Sequence, residues 1–154
     1  MKSLVLPNEL LLGEVKRLLA SGHEVVLMTR GCSMLPFIVG SRDSVRLVPS
    51  AGPSAGDIVL AEVQKDRYVL HRVLSVDGEE VTLKGDGNLV GTEKCSVKDV
   101  FGVARAIVGK KGRERECCSD RAKERARRWN ALPYTVRRYT LAVLRRTIVR
   151  KYGI

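Results

Sequence analysis

The chain has 154 residues, 44% of them hydrophobic and 29% charged, with a formal net charge of +11. That length fits one domain with a real core, and no window approaches the ~20 consecutive apolar residues needed to span a bilayer. The charge is uneven: residues 1–108 hold 13 basic and 13 acidic side chains, whereas residues 109–154 hold 15 basic and 4 acidic, so a neutral body and a basic tail read as separate physical objects.

In chain order, Met1 to Leu6 form a short apolar start broken by Pro7, Asn8 and Glu9, which does not make a secretory signal. Residues 8–21 predict an amphipathic helix, with Asn8 as its cap, Leu11, Val15, Leu18 and Leu19 at helical spacing, and Gly22 as its stop. Residues 24–30 are an apolar, strand-like run that leads into Gly31-Cys32-Ser33-Met34-Leu35-Pro36-Phe37. Gly31 lets another backbone approach closely, and Pro36 bars a regular ladder, so Ser33 is expected where a strand ends. Further strands are predicted at 44–48, 57–63, 67–75, 80–84 and 102–108, separated by turns at 51–56 and at Asp77-Gly78. Many short strands with turn signals imply a mainly β, antiparallel, coiled body.

Residues 109–130 shift in composition and read as a solvated linker or a charged helix. Residues 132–152 read as a two-sided helix among six basic residues. Leu132, Val136, Tyr139 and Val143 fall on one side, and Tyr134, Leu141, Leu144, Ile148 and Tyr152 on the other. Such a helix could pack on the body, on a protein partner or on an anionic membrane surface. Nucleic acid ranks below these, because no DNA-reading motif accompanies the arginines.

Three stretches carry chemistry. A serine hydroxyl is a poor nucleophile near neutral pH unless a base lies within hydrogen-bond reach and is itself held in orientation. Ser33, His71 in a strand-like run, and Asp86 in the Gly85-Asp86-Gly87-Asn88 turn are the residue types required. The glycines of that turn are expected to take positive φ. His23 lies at the helix-to-strand junction and reads as bland; Asp57 and Asp99 precede strands and read as turn or cap residues. Cys32, Cys95, Cys117 and Cys118 lack a Cys-x-x-Cys spacing, so a zinc site is not expected and a reduced, cytoplasmic setting fits. Neighbours in an extended segment point to opposite faces, so only one of Cys32 and Ser33 can face His71.

Gly-x-Ser33-Met34-x-Pro36, Gly56-Asp57-Ile58-Val59, His71-Arg72-Val73, Lys84-Gly85-Asp86-Gly87-Asn88 and Asp99-Val100-Phe101-Gly102-Val103-Ala104 stand in order across roughly residues 22–108. This set resembles the superfamily of serine peptidases formed by type I signal peptidases and SOS repressors. The His-Arg-Val context is similar to the histidine type of the endoplasmic reticulum and archaea, rather than the lysine type. The resemblance implies a coiled β peptidase body at 1–108 and a hydrolase that cuts a peptide or protein precursor through an acyl-enzyme, without a cofactor or metal. By resemblance Ser33 is the nucleophile and His71 the general base. Asp86 is assigned as the orienting acid, with Gly31 and Met34 shaping the oxyanion or substrate site. The chain departs from the pattern twice. Such enzymes carry a transmembrane anchor, and the histidine type has a further aspartate where this chain has Gly91, Thr92 and Glu93, which leaves the third member open. An inactive peptide-binding module docked by its tail is the alternative reading.

Overall fold

The computed structural model describes residues 8–152. The reading of Met1 to Pro7 lies outside the described residues. Helix α1 (Asn8–Ala20) is followed by strands β1 (Val25–Met28), β2 (Ser44–Pro49), β3 (Ile58–Gln64), β4 (Arg67–Asp77), β5 (Glu80–Lys84), β6 (Glu93–Ser96), β7 (Val100–Val108) and β8 (Glu114–Glu116). Two helices close the chain, α2 (Asp120–Ala131) and α3 (Tyr134–Tyr152).

All pairings are antiparallel, in one eight-stranded sheet ordered β1-β2-β7-β3-β4-β5-β6, with β8 added on β7. The mainly β expectation therefore holds, and every predicted strand is present. β6 and β8 escaped the sequence reading because their residues, Glu-Lys-Cys-Ser and Glu-Arg-Glu, show no apolar alternation. Both pair with one neighbour only, where a polar strand costs little. The sheet accordingly runs past residue 108, to Glu116.

Three apolar clusters hold the structure. In the first, Val15 and Leu19 of α1 pack against Leu27, Val45, Leu47, Ile58, Leu60, Ala104 and Ile107. In the second, Val59 and Ala61, which alternate along β3 with Ile58 and Leu60 of the first, pack with Val73, Val81, Leu83 and Val100, so β3 is covered on both faces. Cys117 sits in the first cluster, where its thiol donates to the Ala104 carbonyl at 3.2 Å. Burial, then its neighbour Cys118, pushes that thiol up to about 12, so it stays protonated and inert.

The third cluster corrects the division into body and tail. Trp129 of α2 and Leu141 and Ile148 of α3 pack on Leu35 and Val39, with Cys32, Phe37 and Leu89 at the margin. The basic segment is therefore built onto the loop that carries Ser33. α2 starts at Ser119, whose hydroxyl accepts from the Ala122 amide, and Lys123 bonds Asp57 of the body at 2.9 Å. Pro133 separates α2 from α3. The two-sided reading of α3 holds, apart from Tyr134: Leu141 and Ile148 are buried, while Tyr134, Val136, Tyr139 and Val143 are exposed.

Candidate active site

The chain leaves β1 at Met28 and turns through residues 31–37 before returning as β2. Gly31 has φ +77°, and a Cβ on Gly40 would lie 2.2 Å from the Gly31 carbonyl oxygen. The two backbones do meet here, but it is Gly40 that must lack a Cβ; one on Gly31 would meet nothing within 4 Å, and what Gly31 supplies is its positive φ. On the other side of the serine, the Gly87 amide donates to the Ser33 carbonyl at 2.8 Å. A Cβ on Gly87 would stand 2.3 Å from the Cys32 carbonyl oxygen, and one on Gly85 2.4 Å from that of Ser33. Neither Gly85 nor Gly87 has positive φ. Their role is contact: the turn at 85–88 lies against the serine backbone so tightly that only glycine fits.

Ser33 lines a cleft of about 210 Å³ together with His71, Gly31, Met34 and apolar side chains of α1, β1 and β4. Leu11, Leu12, Leu27 and Leu70 are among them, and Thr29, Arg30 and Tyr68 add polar groups to its wall. Two unpaired sheet edges border it. β1 ends the sheet, and β4 pairs with β5 only from Arg72 onward, so its first half has a neighbour on the β3 side alone.

His71 is 6% exposed, and its Nδ1 lies 2.8 Å from Oε2 of Glu93. Glu93 opens β6 and pairs with Leu83 of β5, which pairs with Val73 of β4. Val73 and His71 are two residues apart and share a face, so Glu93 reaches the imidazole across β5. A carboxylate on Nδ1 fixes ring orientation and makes Nε2 the nitrogen that can accept a proton. No hydrogen bond joins Ser33 to His71 among the described residues. In unliganded sites the nucleophile–base bond is commonly loose and tightens with substrate bound. The Ser33 amide also has no acceptor among the described residues, so its N–H is available to an oxyanion.

Asp86 is elsewhere. Its carboxylate, 1% exposed, accepts from Arg72 Nε at 2.9 and 3.0 Å, from Arg72 Nη2 at 2.7 Å and from Asn130 Nδ2 at 3.1 Å. Its carbonyl accepts from the Trp129 indole at 2.9 Å. The assignment of Asp86 to the histidine is therefore corrected to Glu93. The reason is strand alternation: His71 and Arg72 point to opposite faces of β4, and the turn at 85–88 lies on the Arg72 face. The same rule that separated Cys32 from Ser33 could have separated Asp86 from His71. It holds at the loop too, where Ser33 lines the cleft and Cys32 packs beside Trp129 and Leu35.

Asp86 and Arg72 instead tie the site together. Arg72 Nη1 donates to the Gly56 carbonyl at 2.7 Å, so one guanidinium links β4, the turn before β3 and the turn that clasps Ser33. Arg145 of α3 completes the clasp by donating to the Gly87 carbonyl at 2.8 Å. Asp57 accepts from the Ser54 amide and Asp99 from the Ser96 amide, the turn roles expected of them. Lys84 is held below the usual lysine range by burial and then by the charge of Arg137, against the pull of Asp86. It does not line the cleft, so it is no rival to His71 as base. Among the described residues no cluster of His, Cys, Asp and Glu could hold a metal ion, and no helix is long and apolar enough to cross a membrane.

No protein-family model matches this sequence, and no curated protein gives a significant match to it.

Proposed function

We propose that the chain is a serine endopeptidase of the signal-peptidase and SOS-repressor type, acting through Ser33, His71 and Glu93. The observation that carries this reading is the setting of His71: it lines one cleft with Ser33, and it has a carboxylate on Nδ1. An extended peptide would enter between the unpaired edges of β1 and β4, gaining main-chain hydrogen bonds while alternate side chains face the cleft. Nε2 of His71 takes the Ser33 proton as Oγ attacks the scissile carbonyl, and the Ser33 N–H receives the developing oxyanion. Protonated His71 then gives its proton to the leaving amine, and water hydrolyses the acyl-enzyme with His71 as base again. General-base help of this kind is worth roughly 10²- to 10⁴-fold. Gly31 and Met34 shape the nucleophile loop, and a cytoplasmic precursor is the substrate class that four unpaired cysteines fit.

A fluorophosphonate probe tests the reading directly. Labelling of the intact protein that disappears in both Ser33→Ala and His71→Ala, with the fold retained by circular dichroism, is expected. Absence of labelling at Ser33 under conditions that label a control serine peptidase would instead favour a peptide-binding module without hydrolytic chemistry.

A further inference from the structure

Helix α3 carries six arginines and lysines and no acidic residue. Its inner side is fixed on the body by Leu141, Ile148 and the Arg145 bond to Gly87. Its outer side is exposed. Val136, Tyr139 and Val143 recur there at helical spacing, with Tyr139 78% and Val143 61% exposed, and Leu132 continues the stripe before the helix begins. At 100° per residue Arg146 and Arg150 fall on this same side, and both are exposed. An exposed tyrosine and two valines beside arginines suit contact with a bilayer surface. Apolar side chains enter the acyl boundary there, tyrosine sits at headgroup level, and arginines extend to phosphates.

A second observation concerns the end of the same helix. Lys151 and Tyr152 border an open cleft of about 610 Å³ whose other walls are Arg42, Asp43, Gly109, Lys110, Lys111, Arg113 and Arg115. Among the described residues Asp43 is the only carboxylate there, and it is already bonded by Arg42 and by the Val39 amide, with Arg115 at 3.7 Å. Lys110 and Lys151 lie over the Tyr152 ring at 5.6 and 5.5 Å, and neither ammonium has a carboxylate partner among the described residues. Excess positive charge around an open bowl concentrates anions.

We propose that the outer side of α3, with Arg146 and Arg150, is a docking surface for an anionic phospholipid bilayer, and that the positive charge of the cleft at the helix's end adds to the attraction. The valines and Tyr139 enter the interface and Arg146 and Arg150 take lipid phosphates, while Lys110, Lys111, Arg113 and Lys151 strengthen the field that draws the helix to the leaflet. Charge complementarity selects this occupant: an acid-free helix and a cleft with one neutralised carboxylate match a leaflet rich in anionic headgroups. The uncharged stripe adds what a nucleic-acid backbone would not use. Attachment through this surface sets the body on a membrane without a spanning helix.

Sedimentation with vesicles of phosphatidylcholine alone, or with a third phosphatidylserine, tests the proposal on the full chain. Binding to the anionic vesicles only, weakening as salt is raised, is expected. The double substitution Tyr139→Glu and Val143→Glu should weaken it by more than about tenfold. Lys110→Gln with Lys111→Gln should weaken it about fivefold per charge removed. All four positions are exposed, so the variants should keep the parental melting curve. Three results would overturn the proposal: no retention by anionic vesicles, retention indifferent to the Tyr139 and Val143 substitutions, or displacement by inorganic phosphate or an oligonucleotide at matched ionic strength. The last would mark a soluble phosphate or polyanion site instead. Loss of docking leaves fluorophosphonate labelling at Ser33 untouched, so the two readings fail separately.

Discussion

The loop at residues 31–37 has two sides, and they employ their polar groups differently. Toward the strands, Ser33 and His71 line a cleft in which the hydroxyl and the Ser33 amide make no bond to the rest of the described chain. Toward the helices, the groups that hold the loop are paired: the Ser33 carbonyl with Gly87, the Gly87 carbonyl with Arg145, the Asp86 carbonyl with Trp129, and its carboxylate with Arg72 and Asn130. Unpaired groups on one side are available to a reacting molecule; paired groups on the other keep them in place. A site needs both, because groups that are free to react are useful only when their supports are rigid. Mutations on the two sides should therefore separate activity from stability.

The largest effect belongs to Arg72. Truncating it to alanine leaves the Asp86 carboxylate buried with Asn130 as its one side-chain partner, which costs about 3–5 kcal/mol. Urea denaturation should show this, and Arg72→Met combined with Asp86→Leu should recover much of it by removing both charges. A loss near zero in the single variant would mean that the pair does not organise the helical side.

Leu141→Ala comes next, at about 2–5 kcal/mol for a buried leucine. Its more telling readout is cooperativity. Trp129 is the chain's single tryptophan and belongs to the helical cluster, whereas far-ultraviolet dichroism follows strands and helices together. Coincident transitions are expected if helices and sheet unfold as one unit. A tryptophan transition that precedes the dichroic one would restore the view of residues 109–154 as a separate object.

On the open side, Glu93→Gln should slow fluorophosphonate labelling about a hundredfold while stability changes by less than about 1 kcal/mol. The amide keeps the shape of the carboxylate and removes the charge that steadies an imidazolium. Asp86→Asn should do the reverse, losing stability with a smaller effect on labelling. If Asp86→Asn abolished labelling in a protein of parental stability, Asp86 would regain the role that its place in the motif implied.

How far the sequence reveals this arrangement depends on whether a residue's role is local. Strands β2 to β5 and β7 declare themselves through apolar alternation, and the meeting of Ser33 and His71 in one cleft follows from ordered motifs. Glu93 does not declare itself, because its link to His71 passes across β5 and depends on the register of three strands, which one residue of slip would reverse. The helical side is equally silent. Arg145 and Trp129 lie 58 and 43 residues from the Gly87 and Asp86 carbonyls they bond, and nothing in a run of arginines distinguishes the one that turns inward. Charge counting divided the chain at residue 108 because net charge describes the surface, whereas Leu141 and Ile148 record where the surface ends.

The smallest effect is the sharpest test of whether the two sides communicate. Trp129→Phe keeps most of the ring's apolar bulk in the cluster and removes one N–H, the donor to the Asp86 carbonyl at 2.9 Å. An unmet buried carbonyl costs about 1–3 kcal/mol, and here the low end is expected, since phenylalanine can settle into the space. The next residue, Gly87, donates to the Ser33 carbonyl at 2.8 Å. Freeing one end of that short turn should therefore raise hydrogen exchange at the Gly87 amide more than at the central strands, and slow labelling of Ser33 in proportion. Were stability to fall while exchange at Gly87 and labelling kept their parental rates, α2 would only cover the loop, and the task of holding the serine would pass to Arg145 and to the glycine contacts alone.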